Sequence, residues 1–297
     1  MSATGVPDAY PPDSYHTVDP APAGRPVPGV SRAGRDLRAA IAVGLALSAA
    51  ILGSLLFVHQ AFIGVVAAAV AVSTWELAGA LRRGAGIRIA LVPVLVGGQA
   101  MVWLSWPFGR DGVLGAFVAT VLVCLVWRFA GGAAGYVRDV TASLFTVTYV
   151  PAFAAFAAML AVPDDGAARV LCFMLAVIAS DVGGYTAGVW RGRHPMAPAI
   201  SPKKSWEGFA GSVVTGMVIG ALTVTYLLGG WPWQGALFGA AIALSATVGD
   251  LVESLIKRDL GIKDMGTLLP GHGGLMDRMD SLLPSAVVAW LLLGLFV

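Results

Sequence analysis

The densest run of potential chemistry in the chain is Lys263-Asp264-Met265-Gly266-Thr267-Leu268-Leu269-Pro270-Gly271-His272-Gly273-Gly274-Leu275-Met276-Asp277-Arg278-Met279-Asp280. Glycines flank His272, and two carboxylates three positions apart, Asp277 and Asp280, follow with Arg278 between them. On a helix those two carboxylates share a face. Carboxylates with few other ligands suit Mg²⁺, which keeps several waters and takes phosphate oxygens as partners. Lysine and arginine beside them suit a polyphosphate. Two readings fit this spacing: a Mg–nucleotide site and a solvated charged loop.

Three upstream blocks carry matching groups. In Val248-Gly249-Asp250-Leu251-Val252-Glu253-Ser254-Leu255-Ile256-Lys257-Arg258, the positions of Asp250, Ser254 and Lys257 are i, i+4 and i+7, on one helical face. Asp250 sits roughly 10 Å inside the helix end, and Asp181, in Ser180-Asp181-Val182-Gly183-Gly184-Tyr185, roughly 13 Å inside its own, at 1.5 Å per residue. An ionisable group in an apolar helix is costly and marks a functional-site hypothesis. The two aspartates either converge on a cation or pair with a lysine, an arginine or a hydroxyl. In Ser201-Pro202-Lys203-Lys204-Ser205-Trp206-Glu207-Gly208, two lysines beside a helix start form an anion site or a basic flank against anionic headgroups. Gly183, Gly184 and Gly188 permit close approach of a ligand or of a neighbouring helix. Glu76 either lines a cavity or pairs with Arg82 or Arg83.

The elements that position these groups are membrane helices. Of 297 residues, 57% are hydrophobic and only 12% charged, where soluble domains carry about 25% charged residues. Mean hydropathy is +0.79. Apolar segments near 39–58, 61–81, 87–106, 111–129, 139–161, 167–190, 208–230, 232–256 and 281–297 approach the roughly 20 residues that cross a bilayer. The expected fold is all-α, a polytopic integral membrane protein of about nine transmembrane helices. With the N-terminus inside, 17 of the 19 Lys and Arg fall in inside segments and only Arg110 and Arg169 outside, as the positive-inside rule requires. This puts the C-terminus outside. The two long connections, 191–207 and 257–280, both lie inside and are where chemistry is expected. Residues 1–34, rich in proline, read as a disordered cytoplasmic tail rather than a signal peptide. Residues 35–166 then form the N-terminal helices, and 167–297 the catalytic region. Cys124 and Cys172 show neither metal nor disulfide spacing. Trp103, Trp106, Trp231 and Trp233 read as an outer interfacial belt, and Pro151 as a kink that shapes a lipid entrance.

Ser254-Leu255-Ile256-Lys257-Arg258, Lys263-Asp264 and Pro270 to Asp280 together resemble the signature of bacterial phosphatidate cytidylyltransferases, without a departure across 27 positions. The Ser180–Tyr185 and Ser201–Gly208 blocks resemble upstream blocks of the same family. The likeness is close over roughly 167–297 and loose over the remaining helices. It implies a cytosol-facing polar cavity at the inner (cell) membrane, in which the phosphate of phosphatidic acid attacks the α-phosphorus of CTP and pyrophosphate leaves. It implies Mg²⁺, with room for a second, monovalent cation such as K⁺. Asp250 and Asp277 are the leading metal residues by this resemblance, and Asp181 and Asp280 follow. Lys203, Lys204, Lys257, Arg258, Lys263 and Arg278 would hold phosphates, His272 would touch phosphate from its glycine-rich turn, and Ser201, Ser205 and Ser254 would contact substrate. Expected partners are CTP, phosphatidic acid, membrane lipids and, by analogy, a second copy in a homodimer, with no nucleic acid. The rivals are a CTP-dependent lipid-alcohol kinase, a secondary transporter coupled through Asp181 and Asp250, and a non-catalytic scaffold. Chemistry without a covalent catalyst fits the reading, because phosphoryl-type transfer needs positioning and charge stabilisation.

Overall fold

The computed structural model describes residues 49–55, 59–268 and 273–297. The expected tail 1–34, most of the expected first span 39–58, and Leu269 to His272 lie outside the described residues. Residues 49–55 are helical. Seven further helical segments are long and apolar enough to cross a membrane.

The first of these, α1 (His59–Ala85), ends in Arg82 and Arg83. The second, α2 (Leu91–Trp127), is drawn by its hydrogen bonds as one helix, but Gly109 breaks it at φ 54°, ψ −135°, two residues after Pro107. The two halves fold back on each other. A Cβ placed on Gly97 would strike the Thr120 hydroxyl, although a straight helix would hold those positions ~34 Å apart. The legs on either side of Gly109 correspond to the expected spans 87–106 and 111–129.

Helix α3 (Tyr136–Val147) runs through a π turn, Thr148–Ala152, into α4 (Phe153–Leu160). Pro151 lies in that turn, where the wider winding accommodates a residue without an N–H. Its ring packs close to Gly98 of α2. Below it, the buried Asp139 carboxylate binds Arg128 at 2.6 Å and Arg138 at 3.0 Å, and accepts from the Arg88 N–H. This ties the loop after α1 to α3.

The remaining elements are α5 (Gly166–Arg191), strands β1 (Pro195–Ala197) and β2 (Ser201–Ser205), α6 (Trp206–Leu228), α7 (Pro232–Asp259), the single turn α8 (Met276–Met279) and α9 (Leu282–Phe296). The strands are a departure from the expected all-α fold. They pair antiparallel, Pro195 with Ser205 and Ala197 with Ser201. Glu207 closes the hairpin by accepting from the N–H groups of Arg193 and His194. Ser205 then caps α6, its hydroxyl accepting from the Gly208 N–H.

Helices α5, α6 and α7 pack through small residues. Lipid supplies no hydrophobic drive between helices, so close backbone approach and interhelical hydrogen bonds must hold them. A Cβ on Gly183 would strike Thr215, one on Gly239 would strike the Gly216 carbonyl, and one on Gly235 the Gly220 carbonyl. Ser212 and Thr215 of α6 donate to the carbonyls of Ser180 and Ala179 on α5. These crossings fix Asp181 of α5 and Asp250 of α7 relative to one another.

Glu76 of α1 decides between its two expected roles, and it lines a cavity. It does not pair with Arg82 or Arg83. It is 3% exposed, and its Oε2 accepts from the Met276 N–H at 2.8 Å. Its carboxyl group fills the space where a Cβ on Gly266 or Gly274 would lie. The turn that carries Asp277 is thereby anchored to α1. Glu76→Ala leaves the Met276 N–H without its buried acceptor and should cost about 1–3 kcal/mol. Glu76→Gln keeps an acceptor and should cost less, as read from thermal unfolding in detergent. Gly239→Val should destabilise by about 1–3 kcal/mol through overpacking. Gly115→Ala, a site with nothing within 4 Å, should leave the unfolding temperature unchanged.

Candidate active site

Asp277 organises the signature segment. Its side chain is 5% exposed. It accepts from the Met265 N–H at 3.0 and 3.1 Å and from the Gly274 N–H at 2.7 Å, and it pairs with Lys257 Nζ at 2.7 Å. A buried charge is tolerable only when surrounded in this way. Gly273, at φ 81°, takes a backbone conformation that makes room for the wrap. Lys257 also holds Glu253 Oε2 at 2.6 Å, so one ammonium joins α7 to α8.

Asp250, one turn before Ser254 on α7, pairs with Lys204 of β2 at 2.6 Å, and the two side chains are 31% and 26% exposed. The sequence reading placed Lys257 on the Asp250 face. The structure assigns Lys204 to Asp250, and Lys257 to Glu253 and Asp277. Asp181, Asp250, Ser201, Lys203, Lys204 and Ser205 line one cavity of about 340 Å³. Ser201, Lys203, Ser254, Lys257, Arg258 and Lys263 line a second, of about 560 Å³. The shared Ser201 and Lys203 make the two contiguous around β2. Asp280 accepts from the Ser281 N–H and faces Glu253 and Asp250.

Most of the expected site residues therefore meet where the C-terminal ends of α5 and α7 approach β2 and α8. Ser205 lines the first cavity and also serves as a helix cap. Arg278 borders a nearly all-apolar cavity of about 380 Å³ with residues of α1 and α9. His272 lies outside the described residues. Two groups were missed. Glu253 is 1% exposed, and its Oε1 has no hydrogen-bond partner. Its position four residues before Lys257 was the available signal. Tyr149, in the π turn, is buried with its hydroxyl unpartnered, and the charges of Glu253, Asp280 and Asp250 act on it. Nothing in its sequence neighbourhood distinguishes it from a packing tyrosine.

Among the described residues no three His, Cys, Asp or Glu side chains form a ready metal cage. Mg²⁺ does not need one, since one or two carboxylates with substrate phosphates suffice. The donor set suits that mode. Asp250 spends one oxygen on Lys204 and keeps the other, and Glu253 Oε1 is an uncommitted buried acceptor. The Asp277 acceptor sites are taken, so ligation there would release Lys257.

Residues 38–296 match the model of the cytidylyltransferase family. The chain is 53% identical over 284 residues to the phosphatidate cytidylyltransferase of Mycobacterium bovis, covering 91% of this chain and 92% of that protein. It is 52% identical over 280 residues to the Mycobacterium leprae phosphatidate cytidylyltransferase, covering 89% of each. The Helicobacter pylori phosphatidate cytidylyltransferase is 43% identical over 124 residues, which is 42% of this chain and 46% of that protein. With the family model spanning nearly the whole chain and full-length relatives above half identity, the chain belongs to the cytidylyltransferase family.

Proposed function

We propose that the protein transfers CMP from CTP to phosphatidic acid, giving CDP-diacylglycerol and pyrophosphate. The observation that supports this most is the meeting of lysines and carboxylates from α5, β2, α7 and α8 around two contiguous cavities at one end of the bundle. A phosphate oxygen of phosphatidate forms a bond to the α-phosphorus of CTP, and the bond from that phosphorus to the bridging oxygen of pyrophosphate breaks. The attacking oxygen is already anionic near neutral pH, so no strong general base is required. The barrier is repulsion between two anions, which fixed cations lower.

Lys203, Lys257, Arg258 and Lys263 hold the triphosphate in this reading. Asp250 and Asp277 hold Mg²⁺, with Asp181 and Asp280 close by and Glu253 as an additional acceptor. A second, monovalent cation belongs to the same acidic cluster. The metal would supply charge neutralisation at phosphate oxygens. If Asp277 held the metal, Lys257 would be free to place its charge on a phosphate. Lys204 holds Asp250 in place.

Nine spans, an inside N-terminus, an outside C-terminus and a cytosol-open cavity complete the proposal. The fold-back of α2 at Gly109 supports the count, since it adds a span to the seven helical segments, and the expected span at 39–58 supplies the ninth. The distribution of Lys and Arg supports the orientation. A lipid substrate can then keep its acyl chains in the bilayer while its headgroup meets CTP from the cytosol.

Purified protein in detergent, given phosphatidic acid, CTP and Mg²⁺, should release pyrophosphate and form CDP-diacylglycerol. Chelation of Mg²⁺ should stop it. Asp277→Asn and Asp250→Asn should each lower kcat by about 100-fold or more, the scale on which a lost electrostatic stabiliser is felt. A folded wild type that makes no lipid-linked CMP would refute the reaction. Full activity in both variants would move the site elsewhere.

A further inference from the structure

A further cavity, of about 940 Å³, lies across the 262–267 segment from the lysine-lined pair. Ile262 borders both it and the 560 Å³ cavity, so a single stretch of backbone divides them. Arg82 and Arg83, from the end of α1, and Arg88, from the loop that follows, line the new cavity. Asp264 and the buried Glu76 are its acidic residues, so the walls carry a net positive charge. Among the described residues none of the three arginines forms an ion pair with a carboxylate.

The Arg83 side chain and the Arg88 backbone are held in place. Arg83 donates to the Met265 carbonyl at 3.0 Å, and the N–H of that same residue is bound by Asp277. Arg88 has its backbone N–H fixed by Asp139. Trp75, 59% exposed, stands two turns before Arg82 on the same face of α1, with the small Ala78 and Gly79 between them. Guanidinium forks set beside an exposed indole suit a planar or tetrahedral oxyanion carried by an amphipathic molecule.

We propose that this cavity is a second phosphate-binding site, distinct from the lysine-lined cavities and coupled to Asp277 through the Met265 peptide. The ligand chemistry is a phosphate group, carried either by an anionic lipid headgroup or by a nucleotide. The choice of probes rests on the function proposed above, whereas the existence of the site does not.

The test is calorimetric titration of the full chain in detergent with dihexanoyl phosphatidate and, separately, with CTP. The variants are Arg82→Gln/Arg88→Gln and the charge-keeping Arg82→Lys/Arg88→Lys. The glutamine pair should weaken one ligand about tenfold, the scale of a lost charge-assisted hydrogen bond. The lysine pair should restore much of that loss. Loss confined to phosphatidate identifies a lipid headgroup, and loss confined to CTP identifies the nucleotide. Unchanged binding of both ligands overturns the site. So does a loss that lysine does not rescue and that accompanies a lowered unfolding temperature. Turnover separates the two proposals: an active wild type whose binding of both ligands is unchanged in the glutamine pair sinks only this site. An inactive wild type whose phosphate binding still depends on the arginines sinks only the reaction.

Discussion

A carboxylate buried in a bundle of apolar helices has to be surrounded by donors, and Asp277 meets that requirement by folding the chain around itself. One ammonium and two backbone N–H groups converge on it. Satisfying them sets the path of residues 264–267 and of the turn at 273–274. Those paths in turn set the walls of the cavities on either side. Lys257 carries the constraint to α7, its own helix, where it also binds Glu253, so that the shape of the polar region follows from neutralising one buried charge.

The second requirement is that the helices bearing Asp181 and Asp250 come close. Side chains larger than hydrogen at Gly183, Gly239 and Gly235 would hold α5, α6 and α7 apart. The chain uses glycine there and serine or threonine at the adjoining positions, whose hydroxyls satisfy carbonyls across the interface. Nearness of like charges is then offset by Lys204 and Lys257 rather than by distance.

Much of this was legible in the sequence for one reason: hydropathy and charge position are one-dimensional properties. The apolar segments marked the helices within a few residues, and the break between the expected spans 87–106 and 111–129 marked the fold-back that hydrogen bonding alone conceals. The acidic and basic blocks did converge. What could not be read was partnership. Asp250, Glu253, Ser254 and Lys257 lie within two turns of helix, and periodicity permits several pairings among them and the lysines of β2. Which pairing forms depends on how β2 lies against α7, and that depends on a hairpin too short to leave a pattern. The partner of Glu76 was hidden in the same way: it is 200 positions away, while two arginines nearby in sequence offered a false match. Tyr149 was invisible because its burial with an unpartnered hydroxyl leaves no mark in the local sequence.

The fit of Glu76 against Gly266 and Gly274 bears on how this chain can vary over time. The carboxyl group occupies volume that any other residue at 266 or 274 would need, and those two positions border Asp277. A substitution at one of the three is therefore conditional on the state of the other two. An alanine at 274 calls for a shorter side chain at 76, and a shorter side chain at 76 gives up the acceptor for Met276. Neither step is accessible alone without loss, so the N-terminal helices and the signature segment drift as a linked set. Recombining the front of this protein with the back of a distant relative would break that epistasis first at this contact, before it disturbed any residue that touches substrate.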